Sequence, residues 1–171
     1  STALWLAASV WGNPVPTVPR SACHFWDLPL DSLTEAAYFL RDLPVIVDNL
    51  KLAQGNSHGH KVHTLLGGAH HANGSTRRWS TIVLAAGTHP VDEVAGDESL
   101  TARSVTLWGP PFGKQNQDTL RDVAMLRAAI SIHYGHLGPK VIQQMLLKKT
   151  LWPAWKEAYQ GLAERFEQRA V

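Results

Sequence analysis

Pro44-Val45-Ile46-Val47-Asp48 is a short apolar run closed by a carboxylate, and Asn49 follows it. A continuous apolar run suits a parallel strand covered on both faces. The carboxyl end of such a strand is where open α/β sheets bind ligands. Asp48 could hold a divalent cation against phosphate oxygens there; as a plain acidic turn residue it would only end the strand. Asn49 can orient a water but cannot take its proton. Five histidines, His58, His60, His63, His70 and His71, form a second group. Imidazoles suit zinc, copper or nickel, and His60 and His63 could share a helix face. No Asp, Glu or Cys nearby in sequence completes a spaced ligand set, and glycines loosen the geometry. A flexible exposed loop, a nucleic-acid contact and a metal site all stay open for these histidines.

Three further residue types invite chemistry. Arg103 stands between a loop and an alternating run; it is either a solvated arginine or one that reaches a neighbour's phosphate. Seven tryptophans could stack on bases. Scattered through apolar patterns, they read instead as core. Cys23 has no catalytic His–Asp pattern beside it and reads as an ordinary buried thiol.

These residues need elements to position them. Thr2 to Trp11 is a helix apolar almost all round, so it is buried on most sides. Ala22 to Asp27 is a short strand. Ser32-Leu33-Thr34-Glu35 has the capping-box pattern, with Ser32 as N-cap, and Leu33, Ala36, Ala37 and Leu40 then share a face. Gln54 to Thr76 is rich in Gly, His and Asn, with a short helix allowed around Val62, Leu65 and Leu66. Thr81 to Ala86 is a second central strand stopped by Gly87. Ser104 to Trp108 alternates and reads as a less buried strand. Three helices follow: one on Leu120, Val123, Leu126 and Ile130, one with Val141, Ile142, Met145 and Leu146 inward, and one on Trp155, Ala158, Tyr159, Leu162 and Phe166. This order predicts an α/β sheet with a helical tail. A parallel sheet also needs a strand before the first helix.

Ser1-Thr2 opens a buried helix, the place of the Ser/Thr in a G-x-x-x-x-G-K-[ST] phosphate loop, whose glycines and lysine would precede residue 1. Ser1-Thr2-Ala3-Leu4 with Ala7-Ala8-Ser9-Val10-Trp11-Gly12 resembles the segment after that lysine in one family. The family is the helicase-like P-loop ATPases of phages, plasmids and other mobile elements. Further along, Ser32 to Asp48 resembles its helix and metal-binding strand. Val62 to Gly74 with Trp79 resembles its Gly-rich helical insertion, and Thr81 to Thr88 its sensor strand. Ala102 to Val105 resembles its arginine segment, and Ile132 to Gly138 its Tyr-Gly pattern.

The resemblance implies a P-loop NTPase-like, mostly parallel sheet lacking its first strand, with a C-terminal helical subdomain. Residues 1–113 would be the partial ATPase core and 114–171 the subdomain. It implies Mg²⁺-dependent ATP hydrolysis coupled to DNA movement by a homo-oligomeric ring. Ser1 and Thr2 would bind the nucleotide, Ser1 and Asp48 would hold Mg²⁺, and Asn49 and Thr88 would position water. Arg103 would act on the adjacent subunit's nucleotide, and His70, His71, Arg77 and Arg78 would contact DNA. Three departures stand out: Asn49 replaces an acid, Ala86-Gly87-Thr88-His89 stands where Ser-Thr-Gly-Glu is common, and the insertion, which usually carries Lys and Arg, carries His70, His71 and, further on, Arg77 and Arg78. A non-catalytic oligomerisation or nucleic-acid-binding module and a His-rich metal-binding domain are the alternatives.

Composition sets the outer limits. With 44% hydrophobic and 18% charged residues, the 171-residue chain is not a disordered one. A net charge of +2 is too small to argue for nucleic acid by itself. A single cysteine excludes an internal disulfide framework and fits a reducing, cytoplasmic setting. No apolar stretch is long enough to predict a membrane helix. The start at Ser1, on a helical pattern, suggests a piece of a longer protein.

Overall fold

The computed structural model describes residues 1–51, 57–72, 74–114 and 116–169. Of the Gly-, His- and Asn-rich stretch, residues 54–56 and Asn73 lie outside these, as does the side chain of Phe166. The chain divides into two compact units, Ser1–Gly135 and His136–Val171.

The first unit is built on three parallel strands. They are β1 (Cys23–Phe25), β2 (Val45–Leu50) and, after a gap of 32 residues, Val83–Gly87. They lie in the order β1, β2, Val83–Gly87, with Cys23 opposite Ile46 and Ile46 opposite Leu84. Alternation along β2 separates two cores. Val45 and Val47 face one side, with Leu33 and Ala37 of α2 (Leu30–Leu40) and Val62 and Leu65 of α3 (Ser57–Gly67). Ile46 faces the other, with Cys23 and with Leu4 and Ala8 of α1 (Thr2–Ser9). Successive side chains of a strand point to opposite faces, so the central strand is covered by helices on both.

Several expectations shift. Helix α2 begins before the Ser32 pattern: the Leu33 amide closes on the Pro29 carbonyl at 3.2 Å, and Pro29 is the N-cap. The proline ring presets its own φ just ahead of the first turn, so Ser32 and Glu35 stay exposed inside the helix. The described part of the Gly-, His- and Asn-rich stretch is neither a loose loop nor a purely helical insertion. After α3 it forms an antiparallel hairpin of β3 (Ala69–Ala72) and β4 (Ser75–Arg78). Gly74, directly before β4, has φ +75°, and Asn-Gly in a sequence is the strongest short hairpin signal.

Strand β5 (Val83–Gly87) starts two residues later than expected and forms one edge of the sheet rather than a second central strand. With no strand on its outer side among the described residues, Ile82, Ala85 and Gly87 are exposed. Residues 104–108 form no strand: they follow α4 (Val91–Ala95) and a 3-10 turn (Glu98–Arg103) without a ladder partner among the described residues. Helix α5 (Gln117–Ile132) packs on α1, with the Arg127 guanidinium 4.4 Å from the Trp5 ring. Of its expected inward face only Ile130 is buried, while Leu120 is exposed.

The second unit holds α6 (Leu137–Leu147), a 3-10 turn (Lys149–Leu151) and α7 (Trp152–Arg169). Its helical periodicity is as expected, but the faces are not inward. Val141, Ile142, Met145, Leu146, Trp155 and Tyr159 are all exposed, because two helices alone cannot enclose an apolar stripe that a larger layer would cover. No helix of the described residues is long and apolar enough to cross a membrane.

Candidate functional site

Asp48 lies at the end of β2 on the α1 face, two residues beyond Ile46. Its position depends on a bulge. Val47 pairs with Ala85 and Leu50 with Gly87, so Asp48 and Asn49 stand opposite the single residue Ala86. An extra residue in one strand bends it and re-aims its side chains. Asn49 takes the strain, with φ +70°; asparagine tolerates this left-handed region far better than most residues. Its amide then donates to Asp48 Oδ1 at 2.8 Å. The other oxygen, Oδ2, accepts from the Ser1 amino group. The carboxylate is largely buried, and both its oxygens are held by donors.

Thr88 is brought to the same place. Its amide donates to the Leu50 carbonyl at 3.1 Å, just past the bulge. Ser1, Asp48, Asn49 and Thr88 therefore gather at the carboxyl end of β2 and β5. Ser1 is the N-cap of α1 but makes no side-chain cap bond, so the first amides of the helix point outward without a cap. A helix start of this kind suits an anion. The Ser1 hydroxyl and the Asp48 carboxylate are hard oxygen donors, the type Mg²⁺ takes together with phosphate oxygens. The residues present are of the type that fits a metal–phosphate group; Ser1 and Asp48 would be its protein ligands, and Thr2 would stand in the first turn beside the phosphate.

Cys23 lies near this group on β1. Burial, with the Asp48 charge adding to it and the amino terminus opposing, pushes its thiol up to about 11. A thiol held protonated in the core is not a nucleophile. His24, one residue on, is pushed below the usual imidazole range by burial. It lines an apolar hollow of about 260 Å³ at the outer edge of β1, with Phe39, Leu40 and Pro44, which contains none of the four gathered residues.

Arg103 does not join them. It ends the 3-10 turn, exposed, near Asp97. The Asp97 carboxylate is held below its ordinary range chiefly by the Ser99 hydrogen bonds, with smaller help from His63 and Arg103.

The five histidines lie on α3 and β3 and are dispersed. His58 is buried, its Nδ1 3.0 Å from the Lys51 carbonyl and its Nε2 3.6 Å from Asp27. His63 meets Asp97 and His70 meets Asp31, each at 3.2 Å. For His58, His63 and His70 the carboxylates missing from the local sequence come from other segments, one for each. Among the described residues no three ligating side chains converge on a metal position.

The proposed DNA contacts are split by the hairpin. His70 pairs directly with Arg77, and Ala69 with Arg78. Paired residues share a face and successive ones alternate. His70 and Arg77 therefore share the half-buried face, while His71 and Arg78 share the exposed one with Thr76. The four are close in sequence, and the two-residue period of the strands β3 and β4 separates them. Of the tryptophans, Trp26 and Trp79 are core, with the Trp79 indole donating to the Leu65 carbonyl at 2.9 Å. Trp108 and Trp152 are exposed instead.

The parallel sheet with helices on both faces, a helix starting at its carboxyl edge and an acidic strand end make an α/β fold that is consistent with the P-loop NTPase-like kind. A solved structure titled "SCCmec type IV Cch - active helicase" superposes on this chain with a TM-score of 0.64 at 19% identity, over 87% of this chain and 27% of that one. The chain thus spans about a quarter of the length of that helicase. No protein-family model and no curated protein matches it.

Proposed function

We propose that this chain forms the metal- and water-positioning half of a helicase-like ATPase. The observation that carries the reading is the gathering of Ser1 at the head of α1, Asp48 and Asn49 in β2 and Thr88 after β5 at one end of the sheet. The fold likeness to a helicase supports it. The substrate is ATP with Mg²⁺, and hydrolysis is coupled to movement on DNA by a homo-oligomeric ring in the cytoplasm. When bound, Mg²⁺ neutralises charge on the phosphates. Ser1 and Asp48 hold it, and Thr2 supports the phosphates from the helix start. Asn49 and Thr88 orient the attacking water. Arg103, away from Asp48 in its own chain, serves the nucleotide of an adjacent subunit. His70, His71, Arg77 and Arg78 contact DNA. Residues 1–113 are the core and 114–171 the helical subdomain.

The test is steady-state ATP hydrolysis by the longest natural chain that contains this segment. Asp48→Ala should abolish Mg²⁺-dependent turnover. Arg103→Ala should lower it only at concentrations where subunits assemble. Unchanged turnover in Asp48→Ala would remove the ATPase reading.

Asn49 favours a second reading, a module that keeps the fold without hydrolysis. A neutral amide supplies no general base, a contribution worth roughly 10²–10⁴-fold in rate. Tight Mg²⁺–ATP binding with no turnover, together with retained DNA binding, is the outcome this reading expects.

A further inference from the structure

Two surfaces of this chain are apolar, exposed and opposite in charge. The first runs from α4 through residue 108. Val91 to Thr101 carries Asp92, Glu93, Asp97 and Glu98 and no lysine, arginine or histidine. Directly after it, Val105, Leu107 and Trp108 are 74%, 89% and 72% exposed. Arg103 is the one cation between them. The second surface is α6 with the start of α7. His136 to Lys156 carries Lys140, Lys148, Lys149 and Lys156, all exposed, and no acid. Leu147, Leu151 and Trp152 lie exposed among those lysines.

Exposed apolar groups on this scale call for a partner. We infer that the partner is a second copy of the chain, the lysine-bearing α6–α7 surface of one copy covering the acidic α4-to-Trp108 surface of the next. Each copy has both surfaces, so every donor finds an acceptor and the charges match. Complementary charge sets partner and register, while the apolar groups supply the burial. Because the two surfaces differ, the contact is head-to-tail, and such contacts close into rings or run on as filaments. The inference rests on the self-association proposed above and assigns it a surface.

Other polyanions suit lysines and an exposed tryptophan, single-stranded DNA among them. The aliphatic groups and the acidic counterpart on the same chain favour a second copy. The test uses three proteins: the longest natural chain that contains this segment, its Lys148→Glu/Lys149→Glu variant and its Glu93→Lys/Glu98→Lys variant. Sedimentation velocity at several protein and salt concentrations reads association, and far-ultraviolet circular dichroism confirms folding. Each double variant should associate at least ten-fold more weakly than the unaltered chain. An equimolar mixture of the two should recover association, because every contact in an alternating assembly is again opposite in charge. Higher salt should weaken the unaltered chain.

Association that ignores both variants would overturn this surface and leave the ring reading standing. A monomer under all conditions would overturn both. Oligonucleotide binding lost in Lys148→Glu/Lys149→Glu, with no recovery of association on mixing, would overturn the second copy in favour of a nucleic acid.

Discussion

A Cβ placed on Gly87 would stand 2.2 Å from the Leu50 carbonyl oxygen. That approach follows from the bulge at Asp48–Asn49, which carries the end of β2 over β5 and lets the Leu50 carbonyl accept from Thr88. The same irregularity aims Asp48 and seats Thr88. Gly87→Ala must push the strands apart. It should cost at least about 1–3 kcal/mol, the usual range for overpacking, and lower the denaturant midpoint. An unchanged midpoint would mean that the strands do not approach in this way.

Asn49 is constrained by its backbone before its chemistry matters. At φ +70°, Asn49→Gly should hold or slightly raise stability, and Asn49→Val should lower it by about 1–3 kcal/mol. Asn49→Glu combines two effects. It offers a carboxylate to the attacking water and strains the bulge, so any gain in ATP turnover should come with a lower melting temperature. Thermal melts beside turnover assays separate the two.

The Cys23 thiol makes folding sensitive to alkali. Its folded value is about 11, against the ordinary 9.0. Between those values the unfolded chain has lost the proton and the folded chain keeps it, so stability falls as pH rises from about 9 to about 11. Cys23→Ala should flatten that slope while weakening the core. The native thiol should also resist a disulfide reagent at pH 8 and react once the chain is unfolded.

His24 works in the opposite direction on the acid side. Its folded value is lowered by burial, so the unfolded chain takes up a proton first as pH falls. Stability should drop as pH goes below about 6.5. His24→Phe should remove that part of the acid dependence, measured by denaturant titrations at pH 5 and pH 8.

The hairpin predicts unequal DNA contacts. Arg78 lies on the exposed face with His71, and Arg77 on the half-buried face with His70. Arg78→Ala should weaken DNA binding and lower the salt slope by about 1; Arg77→Ala should do less. Equal losses for the two would argue against the exposed face as the contact.

Periodicity and composition alone determined α1, α2, α5, α6 and α7, the run Val45–Asp48 within β2 and the α/β class, because burial patterns of period 2 and 3.6 are written locally; α4 was not read from them. Distance along the chain hid the rest. Only the fold brings Ser1 across 47 residues to Asp48 and pairs His58, His63 and His70 with carboxylates from three other segments. It also makes β5 an edge strand, since sheet order depends on which strands pair. The bulge at Asn49 was equally hidden, because a single extra residue is visible only against the strand beside it.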